Sequence, residues 1–249
     1  MSTFKLILEY DGSRYHGWQV QPGLPTIQAE VQAAIRQIIQ APITVTAAGR
    51  TDAGVHALGQ VVGFTASTAL SEHDWLRALN GLLPEDIAVL SVATVPDTFH
   101  ARFAATSKLY RYRILNRPYR AALDRLGVWH FPYPLDLAAM ESASRALLGS
   151  QDFSSFQGSP TDTENPVCHV TRLEWRRSLD ELVFEIEADR FLKQMVRNIV
   201  GTLVDVGRGK VQAEAIKDIL AARDRTKAGP TAPPHGLYLV RVYYLVNIT

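Results

Sequence analysis

The run Gly49-Arg50-Thr51-Asp52-Ala53-Gly54-Val55-His56-Ala57 holds the residue types and spacing best suited to chemistry. Two glycines bracket Asp52, allowing tight turns and a close approach of backbone or ligand. A loop in which Asp52 forms an Asx turn and the glycines supply positive φ accounts for that much. It does not require a guanidinium two residues before the carboxylate or an imidazole four after it. A carboxylate on a rigid loop, kept ionised by neighbouring cations, suits nucleophilic or electrostatic work on an electron-poor carbon. Both readings stand on the residues alone. Other machineries are missing from the sequence: there is no G-x-x-x-x-G-K-[ST] loop, G-x-G-x-x-G fingerprint, H-E-x-x-H pair or G-x-S-x-G elbow. The seven histidines show no ligand spacing, and the lone Cys168 excludes a Cys-rich zinc site or an intrachain disulfide. No metal is expected.

The loop needs a frame, and hydrophobic periodicity supplies one. Residues 4–11 alternate as a strand. Thr26 stands where it can cap a helix striped by Ile27, Val31, Ala34, Ile35 and Ile38, which Pro42 ends. Residues 43–47 and 59–66 read as strands on either side of the Asp52 loop. Ser71 with Asp74 three positions on predicts a capped helix carrying Trp75, Leu79, Leu82 and Leu83, and 87–95 reads as a strand. In the second half, 108–116 is a strand, and Asp136 caps a helix buried through Leu137, Met140, Leu147 and Leu148. Residues 169–178 and 182–189 form a hairpin, 191–206 and 213–222 are helices, and 237–246 is a closing strand. This order predicts an α+β fold of two βαββαβ subdomains, ferredoxin-like or RRM-like, with antiparallel sheets flanked by helices. The first, 1–105, carries the Asp52 loop, the second is 106–249, and an active-site cleft lies between them.

Charge is balanced overall, with 26 basic and 25 acidic side chains, but unevenly spread. Between His100 and His130 stand Arg102, Lys108, Arg111, Arg113, Arg117, Arg120 and Arg125 against the single acid Asp124. Arg172, Arg176 and Arg177 form a second cluster, and Arg190, Lys193 and Arg197 a third. Each alone reads as a solvated face; together they suggest a phosphate-bearing ligand. The first residues lack the sections of a signal peptide, and no apolar run approaches the ~18 residues of a membrane helix, so the expected location is the cytoplasm and no membrane partner is expected.

The Asp52 run resembles the catalytic-aspartate motif of the bacterial tRNA pseudouridine synthase A family. The likeness continues in Tyr10-Asp11-Gly12-Ser13-Arg14-Tyr15-His16-Gly17-Trp18-Gln19, Phe99-His100-Ala101-Arg102-Phe103-Ala104-Ala105, Tyr110-Arg111-Tyr112, Met195-Val196-Arg197-Asn198-Ile199-Val200-Gly201 and Gly236-Leu237-Tyr238-Leu239. One departure is Cys168, where many members carry a basic residue; it puts one RNA or structural contact in question. The resemblance implies isomerisation of uridine to pseudouridine at positions 38, 39 and 40 of the tRNA anticodon arm. That reaction is redox-neutral and needs no cofactor. The resemblance makes Asp52 the nucleophile, Arg197 the cation paired with it, and Tyr110 a platform for the target base with a hydroxyl for proton transfer. Leu237 becomes an apolar wall of the pocket and Arg50 a phosphate contact or an aid to base extrusion. Arg102, Lys108, Arg111 and Arg113 would track the RNA backbone, and a homodimer is implied.

Two rival readings compete. An RNA-binding module without catalysis would leave the Asp52 loop unexplained and lacks the RRM signature. A carboxylate-dependent glycosidase or nucleosidase would need a second acid beside Asp52 and would release free base.

Overall fold

The computed structural model describes residues 1–161 and 163–245. The chain forms two compact units, one from Met1–Ser107 with Tyr238–Thr249, the other from Lys108–Leu237. Among the described residues no helix is long and apolar enough to cross a membrane.

In the first unit the elements run β1 (Ser2–Tyr10), α1 (Ile27–Ile39), β2 (Thr46–Ala47), β3 (His56–Ala66), α2 (Glu72–Leu82) and β4 (Ile87–Val95). Strand β1 lies between β3 and β4, antiparallel to both. Its alternation is the expected one: Phe4, Leu6, Leu8 and Tyr10 are buried. Full burial of each such apolar side chain contributes about 1.5–3 kcal/mol. Phe4 is opposite Phe64 with the rings stacked at 5.3 Å, and Trp75 of α2 packs edge-on against Phe64 at 5.2 Å. Ser71 and Asp74 form the expected capping box. Leu82, however, is 39% exposed, because only Trp75 and Leu79 of α2 face the sheet.

The start of α1 corrects the expectation for Thr26. Thr26 is the N-cap residue but its side chain makes no capping bond. Instead the Ile27 N–H donates to the Gly17 carbonyl at 3.2 Å, and the Gln28 N–H donates to the Trp18 carbonyl at 3.0 Å. A passing backbone segment therefore does what a side-chain cap normally does.

The last strand, β10, spans Leu237–Tyr244, after β5–β9 of the second unit in the chain. Tyr238 and Leu239 pair with His56 and Ala57 in parallel, while Thr46 and Ala47 of β2 pair with Gly63 and Val62. The sequence reading put this strand with residues 106–249; from Tyr238 onward it groups with the first unit. Val246, the end of the expected strand, lies outside the described residues.

The second unit contains β5 (Ala105–Leu115), β6 (Trp129–His130), α3 (Leu137–Ser144), β7 (Gly149–Asp152), β8 (Val167–Ser178), β9 (Glu181–Ala188), α4 (Met195–Gly207) and α5 (Ala215–Ala222). Within its bounds it does not repeat the element order of the first unit: β6 and β7 are additional, and two helices follow β9. Its sheet runs β5-β9-β8-β7, every neighbouring pair antiparallel, with β6 beside the end of β5. Tyr112, Ile114, Leu182, Phe184 and Ile186 are fully buried on one face.

Helix α4 differs most from its expected form. The predicted helix over 191–206, beside the third basic cluster of Arg190, Lys193 and Arg197, starts later, at Met195. Gln194 takes a left-handed conformation at φ 57°, so Arg190 and Lys193 lie before the helix. Almost every α4 residue is buried, as in a helix at the centre of a core rather than on its surface. A Cβ on Gly201 would stand 1.7 Å from the Pro230 carbonyl oxygen, so the helix and the 228–233 loop touch backbone to backbone. Gly201→Ala should therefore lower the unfolding free energy by about 1–3 kcal/mol, as overpacking does. Urea midpoints of the two proteins test this.

Candidate active site

Asp52 lies four residues before β3, in a loop that the segment 10–18 holds from both sides. The Trp18 N–H donates to the Thr51 carbonyl at 3.0 Å, and the Gly54 N–H to the Tyr15 carbonyl at 3.3 Å. These bonds bracket Asp52 in the chain. Within the loop, the Val55 N–H donates to the Asp52 carbonyl at 3.1 Å. Beneath it, the hydroxyls of Tyr10 and Thr51 are 2.8 Å apart, and Gln60 Nε2 donates to the Gly49 carbonyl at 2.8 Å. Burial pushes the Tyr10 phenol up to about 12, so it stays protonated.

Two glycines of the clasping segment permit this approach. A Cβ on Gly12 would meet the Val55 carbonyl oxygen at 2.0 Å, and one on Gly17 the Thr51 carbonyl oxygen at 2.6 Å. Gly17 also has φ +89°, which a side chain resists. The clasp is anchored by Asp86, whose carbonyl accepts the Asp11 N–H at 2.9 Å and whose carboxylate accepts the Tyr15 hydroxyl at 2.6 Å.

His56, the imidazole noted in the loop motif, is 3% exposed and stacks on Tyr238 at 4.7 Å. Its Nδ1 is 3.1 Å from the Gly12 N–H donor nitrogen and 3.1 Å from Asp11 Oδ1. These are alternatives: a bare Nδ1 accepts from Gly12, and an Nδ1–H donates to Asp11. Either way His56 ties the loop's exit to the clasp.

Asp52 itself is half-buried, and Arg50 is exposed. Arg102, also in this unit, is exposed with its guanidinium 5.5 Å from the centre of the Phe103 ring.

The second unit carries Tyr110, Arg197 and Leu237. Tyr110 is buried on β5, edge-on to Phe191 at 4.9 Å. Arg197 stands in the first turn of α4, half-buried; its Nε donates to the Ala232 carbonyl at 2.8 Å, and its own carbonyl accepts the Ala232 N–H at 3.1 Å. The Tyr112 hydroxyl donates to the Pro233 carbonyl at 2.7 Å, and burial pushes its phenol far up despite the Arg197 charge nearby. Leu237 is buried where β10 begins.

Residues to which the sequence reading gave no role fix this group. Asn198 Nδ2 donates to the Phe156 carbonyl, while Asn198 Oδ1 accepts from Thr231 at 2.6 Å and Arg225 at 3.0 Å. Thr202 Oγ1 accepts the Gly229 N–H at 2.9 Å. Asn198 and Thr202 sit one and five residues after Arg197, so helical spacing was the available signal.

Two of the expected RNA contacts are engaged within the chain. Arg111 donates twice to Glu185 Oε1, at 2.9 and 2.7 Å, and Arg113 donates to both oxygens of Glu181 at 2.6 and 3.1 Å. Arg172 and Arg176 of the second basic cluster pair with Glu174, and both also reach Glu185, the partner of Arg111. This leaves a charge-matched lattice across β5, β9 and β8. Lys108 is half-buried on the same β5 strand. Cys168 is fully buried, and burial pushes its thiol up to about 11, so that departure concerns packing rather than an RNA-facing surface. Among the described residues no group of three or more His, Cys, Asp or Glu is placed to hold a metal ion.

Comparison with known proteins sets the class. A family model described as tRNA pseudouridine synthase matches residues 6–104 and 143–245. The chain belongs to this family, whose reaction is an isomerisation. Among its relatives, tRNA pseudouridine synthase A of Aeromonas salmonicida is 48% identical over 95% of this chain and 88% of that one. The proteins so named from a Thermoanaerobacter species and from Coxiella burnetii are each 43% identical, over 98% and 99% of this chain and 100% and 95% of theirs. A solved Cbf5-Nop10-Gar1 complex matches 94% of this chain and 57% of that one at 10% identity and a TM-score of 0.36, too distant to support an inference.

Two predictions follow from the clasp. Gly17→Ala adds a methyl group against the Thr51 carbonyl in a left-handed backbone, a strain of about 1–3 kcal/mol. It should lower turnover well below that of Gly23→Ala, a control with the same sign of φ and open space around it, when both are assayed below their thermal midpoints. The second concerns Asp11. Burial alone would raise its carboxyl, but the Ser13 hydroxyl and N–H and the His56 ring outweigh that and hold it below the usual value. A lowered folded pKa stabilises fully above the unfolded value and fades as pH falls through the folded one. Asp11→Asn should therefore be less stable than wild type at pH 7, and the gap should close below about pH 4. Urea midpoints at stepped pH read it.

Proposed function

We propose that the protein isomerises uridine to pseudouridine at positions 38, 39 and 40 of the tRNA anticodon stem-loop, with Asp52 as nucleophile. In this reaction the C1′–N1 bond breaks and a C1′–C5 bond forms. The C5 proton leaves to solvent and N1 gains one, so atoms and electrons balance without a cofactor. Asp52 must be ionised and held at the sugar–base junction. Whether it attacks C1′, adds to C6 or removes a ribose proton, the demand on its position is the same. Arg197 serves as its partner cation, Tyr110 as stacking platform and proton carrier, and Leu237 as apolar wall. Arg50 takes a phosphate or assists extrusion of the base. An aromatic platform offsets part of the unstacking cost of an everted base. The enzyme works as a cytoplasmic homodimer.

Family membership supports this reading, and the observation that carries it to Asp52 is the backbone clasp. A loop bonded on both sides of one residue, with two glycines admitting the approach, is shaped to hold that residue still. A purely RNA-binding module has no use for such bracing of a carboxylate.

Tritium release from tRNA carrying [5-³H]uridine is the direct test. Asp52→Ala should cut release by more than about 10³-fold, as loss of a nucleophile does, while tRNA affinity is retained. Absence of release by the wild-type protein would leave the binding module as the better reading, unchanged release by Asp52→Ala would remove Asp52 from the chemistry, and free uracil would favour the nucleosidase. Arg197→Lys keeps the charge but loses the planar fork. It should slow single-turnover release by roughly 10²-fold, with little change in tRNA affinity.

A further inference from the structure

Five of the seven basic residues between His100 and His130 divide into two groups. Arg111, Arg113 and Arg117 face carboxylates: Glu185, Glu181 and, at 3.6 Å, Asp180. Asp124, the one acid of the segment, lies 3.7 Å from Arg113. Arg120 and Arg125 are exposed and, among the described residues, make neither a hydrogen bond nor an ion pair. Both line an open cavity of about 370 Å³ in the second unit, together with His130, His235, Trp129 and Pro233. Among the described residues no acidic side chain lines it.

The floor is rigid. The Tyr112 hydroxyl holds the Pro233 carbonyl at 2.7 Å, and Gly236 lies so close to the Tyr112 ring that a Cβ would stand 2.7 Å from it. Trp129 packs edge-on against Tyr112 at 6.1 Å and Phe131 at 5.3 Å. His130 Nε2 is 2.9 Å from the Arg117 carbonyl, which fixes that ring as donor there. Two unpaired guanidinium groups and two imidazoles over an apolar floor form a site for an anion attached to something flat or carbon-rich. The forked geometry of arginine favours phosphate oxygens.

We propose that this cavity binds a backbone phosphate of the RNA substrate, with Arg120 and Arg125 as its charged donors and Trp129 and Pro233 as the surface under the attached nucleoside. The inference rests on the tRNA reading given above. It moves the main electrostatic contact from Arg111 and Arg113, whose charges are already matched, to two arginines that the sequence reading counted only as members of a belt. The Pro233–Gly236 turn that floors the cavity continues directly into Leu237, so a phosphate bound here would place RNA beside that residue within the same unit.

The test uses the full-length protein and an unmodified tRNA transcript, with affinity measured by fluorescence anisotropy over a series of salt concentrations. Each phosphate contact contributes roughly 0.7–0.9 to the slope of log affinity against log salt. Arg120→Gln with Arg125→Gln should flatten that slope by about 1–2 and weaken binding about tenfold at low salt. The single-turnover rate at saturating enzyme should stay at the wild-type value. Arg145→Gln with Arg177→Gln removes two exposed, unpartnered arginines elsewhere and should leave the slope near wild type. A slope for the cavity variant equal to wild type, or to this control, would overturn the proposal. So would inorganic phosphate or uridine monophosphate that occupies the wild-type cavity at matched ionic strength without displacing the tRNA, since the cavity would then be a small-anion site. Failure of the tRNA reading itself shows separately, as wild-type protein that releases no tritium.

Discussion

Everything proposed for Asp52 depends on two backbone hydrogen bonds, Trp18 N–H to Thr51 carbonyl and Gly54 N–H to Tyr15 carbonyl. Loops are ordinarily the mobile parts of a fold, yet a reacting carboxylate must be held within about 0.5 Å of its productive position. Each bond contributes only about 0.5–1.5 kcal/mol net. Their effect comes from placement, one on each side of the aspartate, so that neither flank of the loop can swing. Continuing along the chain, the Gly17 and Trp18 carbonyls cap α1, which means that moving the clasp would also uncap a helix. The cost of loosening the loop is thereby tied to the stability of the unit.

The second unit uses the same device. The 228–233 loop lies on α4 with glycine at the closest approaches, Gly201 under Pro230 and Gly229 against Thr202. Neutral polar groups fasten it: Asn198, Thr202 and Thr231, with Arg225 donating to Asn198, Thr231 and the Gly229 carbonyl. Burial lowers the Arg225 pKa from its ordinary value, and no carboxylate is needed because carbonyls and hydroxyls fill its fork. Arg197 is then fixed from two directions, by its helix and by Ala232. A guanidinium held this way has little freedom left to lose when it engages a partner.

What the sequence made legible follows from what each signal measures. Strand β1 was readable because one face is buried and the other is not, and the capping box at Ser71 because its two partners are three residues apart. The start of α4 was not readable: residues 191–194 continue the apolar and basic pattern, and only the left-handed Gln194 backbone breaks it. Alternation in 237–246 marks a strand but not its neighbours, so its grouping with the first unit had no local signature. The Asp52 loop was recognisable as a motif. Its bracing was not, since backbone hydrogen bonds leave no mark on residue type and Gly12 and Gly17 look like any turn glycines. Nor did the basic segment disclose which arginines are matched. Arg111 meets Glu185 seventy-four positions away, a pairing fixed by strand register.

The buried polar side chains say what kind of chemistry the interior is built for. Thr3, Thr26, Gln28, Thr51, Gln60, Ser144, Ser155, Asn198 and Thr202 are neutral; among the described residues of the buried polar set, His56 and Glu185 are the ionisable side chains. Glu185 is surrounded by Arg111, Arg172 and Arg176, and His56 is engaged in holding the clasp. Neither is a spare acid or base. A hydrolase working at a glycosidic bond needs a second carboxyl group to protonate the leaving group or activate water. An isomerase that must keep its leaving base needs an accurately placed carboxylate without a partner acid that activates water, in surroundings whose polar groups fix geometry. The neutral buried groups are thus suited to fixing geometry, in keeping with the isomerisation that family membership gives.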